Sequence, residues 1–195
     1  MEITQATETK KPQVRLLKEM NKVVFDKNFA KKHPNLELYY ISRGVKRNDS
    51  LRYDITIIPA RMLGEEFVRT KGNCNSEKFP ELYTVLEGEA IFLMQKTKGD
   101  IVEQVISIQA KKGHWIIIPP EYAVIMINHS KKTLKTANWV SEKNKNIYEE
   151  LEKMEGPCYF YTQSGWVKNK NYKKIPPIDS KNPLKERPKN LDFLR

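Results

Sequence analysis

Cysteine is scarce in this sequence: Cys74 and Cys158 are the only two among 195 residues. A disulfide framework is therefore not expected, and a reducing, cytoplasmic setting is. Both thiols read as small, half-buried hydrophobes. Long apolar runs are also missing. The longest is Tyr122–Ile127, far short of the roughly 18 residues that a membrane helix needs. The first twenty residues contain no apolar stretch of the kind a secretory signal uses, so no membrane partner is expected. No repeat occurs at a solenoid period.

What is abundant is positive charge, with a formal net of +11. Its distribution weakens a nucleic-acid reading. Residues 1–35 carry a net +4 and residues 165–195 a net +6, while the long middle from 36 to 164 carries only +1. Aromatic residues are sparse among the terminal lysines, with Trp166, Tyr172 and Phe193 near the last cluster. Stacking on bases has little to work with there. No nucleic-acid partner is expected.

The length suits one domain with a sizeable core. Three regions are expected: an N-terminal helical or extended arm over 1–35, a barrel over 36–165, and a basic Pro/Lys-rich tail over 166–195. Short helices are predicted at Val14–Met20 and Asp26–Lys32, each too short to stand alone. Strands are predicted at Leu36–Ser42, Arg52–Pro59 and Glu66–Thr70, followed by a loop over Lys71–Pro80. Leu82–Gln95 reads as two strands broken at Glu87-Gly88-Glu89. Lys96–Asp100 reads as a hairpin turn into Ile101–Gln109. Trp115–Ile118, Tyr122–Asn128 and Leu134–Val140 follow as strands, then a helix over Lys145–Met154 and a strand over Cys158–Thr162. From Lys168 onward the composition predicts an extended arm or disordered tail. Many short strands between Gly and Pro turns mean an all-β sandwich or barrel with short helical additions at its ends.

Two stretches then stand out. One is Thr70-Lys71-Gly72-Asn73-Cys74-Asn75, followed by Glu81-Leu82-Tyr83 and Gly88. The other is Gly113, then Ile118-Pro119-Pro120-Glu121-Tyr122-Ala123-Val124 and Asn128. Together they resemble the two motifs of the cupin, a jelly-roll-like double-stranded β-helix barrel. They are most similar to those of the archaeal-type cupin glucose-6-phosphate isomerases. That resemblance implies interconversion of glucose 6-phosphate and fructose 6-phosphate in glycolysis or gluconeogenesis. It also implies a homodimer and a divalent metal (Fe, Ni, Zn or Mn) held by three histidines and a glutamate.

The three histidine positions hold Asn73, Asn75 and Val124, and only Glu81 keeps the ligand type. Imidazole suits such metals, an amide oxygen suits them poorly, and valine offers nothing. Metal is accordingly expected to be lost, which removes a group that the family's isomerisation uses and leaves open whether the chain is an enzyme. A hard-ion site built from Asn73, Asn75 and Glu81 is the remaining metal option. Cys74 is expected to face away from that site, on the other side of a strand. His33, His114 and His129 fall at no ligand position and read as surface or supporting residues.

The other half of the family site is kept. By resemblance, Thr56, Thr70 and Gly72 hold the sugar phosphate, with Lys71 adding charge nearby. Glu81 carries the proton and Tyr83 lines the sugar pocket. Each has a plainer reading: the threonines as good strand formers, Glu81 as a solvated rim residue, Tyr83 as a core aromatic. Three functions follow: an isomerase, a catalytically inactive sugar-phosphate-binding cupin, or a basic-tailed interaction scaffold.

Overall fold

The computed structural model describes residues 11–76 and 79–195. Residues 1–10 of the expected N-terminal arm and residues 77–78 of the expected Lys71–Pro80 loop lie outside the described residues. The chain builds two main sheets that face each other. The larger has six antiparallel strands in the order Gln13–Leu16, Glu37–Asn48, Leu51–Ile58, Leu134–Ser141, Glu81–Glu87 and Trp115–Ile118. The smaller has Tyr122–Ile127, Glu89–Lys98, Ile101–Lys111 and Asp179–Lys181. The chain passes from the larger sheet to the smaller at Gly88, between Glu81–Glu87 and Glu89–Lys98. A tight Gly99-Asp100 turn then folds the hairpin back, with Lys98 opposite Ile101. Non-sequential neighbours on both sheets make this a jelly roll rather than a meander.

The main core lies between the sheets and includes Leu38, Ile58, Val85, Phe92, Ile116 and Met126. Apolar residues also cover both outer faces. Met154, Cys158, Tyr159 and Tyr172 pack on Ile91, Leu93, Val102 and Val105 outside the smaller sheet. Leu194, fully buried, packs with Leu51 and Leu82 outside the larger one, beside Trp115 and Trp139. Strands covered on both faces need no polar alternation, which accounts for runs such as Ile91–Met94.

Several expected elements differ. Val14–Met20 is a four-residue strand, Gln13–Leu16, followed by the 3-10 turn Leu17–Glu19. The free edge of Glu37–Asn48 supplies partners for Val14 and Arg15 that an isolated seven-residue helix would lack. The expected helix over Lys145–Met154 is shortened to Glu149–Lys153, because Asn146 and Ile147 pair with Asn75 and Cys74. Glu66–Thr70 keeps a strand only over Glu66–Phe67. The segment from Lys168 onward is extended but lies along the barrel: Asp179–Lys181 runs parallel to Ile101–Lys111, and Leu184 bridges Trp115. Tyr172 and Trp166 serve packing there. The Tyr172 hydroxyl accepts from Gln95 and donates to Gly156 O, and the Trp166 ring lies against Tyr161. Among the described residues no helix is long and apolar enough to cross a membrane.

The N-terminal segment is tied down by an ion pair buried to exclusion of water. Arg69 Nε donates to Glu66 Oε1 at 2.6 Å, with side chains 1% and 0% exposed. Glu66 Oε2 accepts from Phe25 N at 2.9 Å, and Arg69 also donates to Thr70 O and Val23 O.

Candidate ligand-binding site

Strand alternation builds one wall of a polar cavity between the sheets. Along Leu51–Ile58 every second side chain points the same way, so Arg52, Asp54 and Thr56 all face inward. The neighbouring ladder repeats this layering: Thr56 pairs with Thr136 and Asp54 with Asn138, while Asn138 in turn pairs with Tyr83. The opposite wall is made by Tyr122–Ile127 and the loop after Glu66–Phe67. Thr70 N–H donates to Met126 O at 2.9 Å, and Met126 N–H donates to Thr70 Oγ1 at 3.0 Å. Asn73 and Val124 exchange both backbone hydrogen bonds.

All five sequence-predicted binding and proton-carrying residues, Thr56, Thr70, Gly72, Glu81 and Tyr83, line this one cavity. Gly72 is required there: its φ is +84°, and a Cβ would lie 2.8 Å from both Ile125 Cγ1 and Leu151 Cδ1. Lys71 departs from expectation. Its ammonium pairs with Glu152 and lies 5.0 Å above the Tyr148 ring, so its charge serves the Glu149–Lys153 helix and not the cavity. Cys74 does not line the cavity, and burial pushes its thiol up to about 12, as it does for Cys158.

Glu81 is no rim residue: it is 3% exposed and accepts from Asn138 Nδ2 at 2.6 Å. Burial raises its pKa above the ordinary carboxylate value, a shift that hydrogen bonds from Asn75 and Tyr83 oppose and that Asp54 reinforces. The Tyr83 hydroxyl is pushed well above its ordinary value, first by burial and then by Glu81. Its ring packs edge-on against Phe92 at 5.4 Å, so it is both a core aromatic and a cavity wall.

The family's metal positions come together as well. Asn73 Nδ2 donates to Asn75 Oδ1 at 3.3 Å, Asn144 Nδ2 donates to the same oxygen at 2.9 Å, and Asn75 Nδ2 donates to Phe79 O at 2.8 Å. The Asn75 amide oxygen that a hard ion would need is thus already taken by two donors. Val124 contributes methyl groups only. Among the described residues no three His, Cys, Asp or Glu side chains are grouped to hold a metal ion. This donor set does not fit a divalent metal.

The cavity also contains residues that sequence reasoning passed over: Tyr39, Arg43, Arg52, Asp54, Asn138 and Tyr148. A signal existed for two of them. Arg52-x-Asp54-x-Thr56 is a polar stripe at period two in an otherwise apolar strand. Arg43 and Tyr148 had none, since a bulge and a helix N-terminus place them.

Two facing sheets in jelly-roll order, antiparallel but for Asp179–Lys181, with a polar pocket between them, define a cupin barrel. The particular family is set by residues 33–177, which match the glucose-6-phosphate isomerase (GPI) family; the chain belongs to that family. No curated protein matches the sequence. Among solved structures, an oxalate oxidase is 11% identical over 56% of this chain and 54% of its own, with a TM-score of 0.44. Vicilin from hazelnut, Corylus avellana, is 16% identical over 56% of this chain and 31% of its own, with a TM-score of 0.41. A cupin superfamily protein from Desulfitobacterium hafniense is 12% identical over 53% and 76%, with a TM-score of 0.36. The chain spans about half the length of the oxalate oxidase and under a third of the vicilin.

Proposed function

We propose that the cavity is a sugar-phosphate site of glucose-6-phosphate isomerase type in which binding is retained and metal-assisted isomerisation is not. The observation that carries this reading is the contrast between two sets of residues gathered at one pocket. Thr56, Thr70 and Gly72 keep the family's phosphate-holding types, while Asn73, Asn75 and Val124 close the metal positions with amides and methyl groups. The Thr70 oxygen already accepts from Met126 N–H, which leaves its proton free to donate to a phosphate oxygen.

Glu81 and Tyr83 are the groups that can hold a proton beside the sugar. A carboxyl with a raised pKa accepts and returns a proton near neutral pH better than an exposed one does. Isomerisation also needs the enediolate oxygens stabilised, an effect often worth about 3 kcal/mol or more per donor. Interconversion of glucose 6-phosphate and fructose 6-phosphate is therefore expected to be absent or slow. Two free cysteines suit a cytoplasmic setting. A sheet-mediated homodimer, implied by the resemblance, would have to avoid the face that Leu191 and Leu194 cover.

Thermal unfolding with and without fructose 6-phosphate tests binding, and a coupled isomerase assay before and after chelation, then with added Mn or Fe, tests turnover. Stabilisation by the sugar phosphate without turnover is the expected result. Full turnover that survives chelation would overturn the loss of isomerisation. No stabilisation by ligand would overturn the site itself and favour a scaffold role.

A further inference from the structure

The Thr56 and Arg52 ends of the cavity wall are four residues apart on one strand, about 13 Å at the usual rise of about 3.3 Å per residue. The Thr56 end holds the phosphate-binding types. The Arg52 end is built differently. The pairing of Glu37–Asn48 with Leu51–Ile58 runs to Ser42 opposite Ile55 and resumes at Lys46 opposite Tyr53, so Arg43, Gly44 and Val45 bulge opposite Asp54. Bulges re-aim side chains, and this one brings Arg43 over the cavity. Gly44 N–H donates to Asp54 Oδ1 at 2.8 Å, which locks the bulge in place.

Asp54, 3% exposed, accepts on Oδ2 from Arg52 Nε at 3.0 Å and Arg43 Nη1 at 3.3 Å. Arg52 is further fixed by donating to Asn144 O at 3.2 Å. Two guanidinium groups face one carboxylate, so one positive charge is left over at the cavity wall. Glu81, the other carboxyl on this wall, is bonded to the Asn138 amide and not to either guanidinium, and burial weighs against its charged form. Arg43 makes the longer of the two bonds and keeps 37% of its side chain exposed, so it is the group free to turn to a ligand.

Resting on the sugar-phosphate reading above, we propose that the ligand is anionic at both ends, with its phosphate at Thr56, Thr70 and Gly72 and a second anionic group held by Arg43 and Arg52. A hexose phosphate, whose sugar end is uncharged, leaves that second charge unanswered. A phosphorylated sugar acid or a sugar bisphosphate answers it, with the guanidinium fork suited to a planar carboxylate.

Titration calorimetry on the full chain with inorganic phosphate, fructose 6-phosphate, 6-phosphogluconate and fructose 1,6-bisphosphate tests this. At least one of the two doubly anionic ligands is expected to bind about tenfold more tightly than fructose 6-phosphate, the size of one charge-assisted hydrogen-bond pair. Which one gains identifies the second group as carboxylate or phosphate. Arg43→Gln, at a half-exposed position, should remove the gain and leave fructose 6-phosphate within about twofold; Arg43→Lys should recover part of it. Equal affinity for all three sugar phosphates, or a gain that survives Arg43→Gln, overturns the second subsite and leaves the phosphate site standing. If no sugar phosphate binds, both readings fall together.

Discussion

Two glutamates are buried in this barrel, and they are buried for different ends. Glu66 lies in full contact with a cation: Arg69 bonds one oxygen and Phe25 N–H bonds the other. Glu81 is buried just as deeply but is held by the Asn138 amide, with Tyr83 and Asn75 beside it, on the wall of the pocket. A charge taken from water and matched to a cation fastens two parts of the chain. A carboxyl taken from water and bonded mainly to amide and phenol partners has its pKa raised, which is a chemical property and not a mechanical one. Compensation is what separates anchor from site.

The sharpest way to break that contrast is at Arg69. Arg69→Met leaves Glu66 buried without its cation, and removing one partner of such a pair costs about 3–5 kcal/mol. Chemical denaturation should show a loss of that size. A loss under about 1 kcal/mol would mean the pair is not an anchor.

The next test concerns the amide cluster beside Glu81. Replacing Asn73, Asn75 and Val124 together by histidine restores the family's imidazoles around Glu81 at positions the structure already gathers. Mn or Zn should then bind by calorimetry, where the parent chain shows no uptake, and isomerase turnover should rise with metal. Absence of metal uptake by the triple variant would mean that more than the donor set has been lost.

A smaller effect is expected at Thr70. Thr70→Val leaves the buried Met126 N–H without its side-chain acceptor, at a cost of about 1–3 kcal/mol. Phosphate binding should weaken as well. Weakening without destabilisation would assign Thr70 to ligand alone.

The smallest effect is pH-dependent. Because the folded-state pKa of Glu81 lies above its ordinary 4.5, the folded protein binds this proton more tightly than the unfolded chain. Its contribution to stability is therefore fully present below about pH 4.5 and is lost as the pH rises through the folded value. Glu81→Gln should be relatively more stable than the parent at pH 7 than at pH 4, as read from denaturation midpoints. The opposite trend would mean that Glu81 is held as a compensated charge in the folded protein.

Much of the barrel could be read from the chain. The break at Gly88, the Lys96–Asp100 hairpin and the helix at Asp26–Lys32 follow from local rules, the last with Asp26 capping Phe29 N at 2.9 Å. The misread segments are those whose partners lie far away in sequence. Val14 takes strand geometry from Tyr40, and Asn146 takes it from Asn75. The terminal Lys/Pro-rich segment looks like a tail by composition, yet Leu194 is fully buried because Leu51 and Leu82 offer it an apolar surface. In the pocket, residue types at motif spacing pointed to Thr56, Thr70, Gly72, Glu81 and Tyr83. They could not point to Arg43, which owes its place to two extra residues in a ladder.

The sequence alone determined the side chains on which the proposed function rests: threonines and a glycine proposed for phosphate, one carboxyl and one phenol proposed for protons, and asparagine and valine at the family's metal-ligand positions. It also determined the alternation that turns Arg52, Asp54 and Thr56 to one side. Only the tertiary structure decided that Glu81 is dry, that Lys71 is spent on Glu152, and that a surplus guanidinium faces the cavity. The reason is one of range. Side-chain type and strand period are local properties, whereas desolvation and charge balance are sums over neighbours that the chain brings together from segments far apart in sequence.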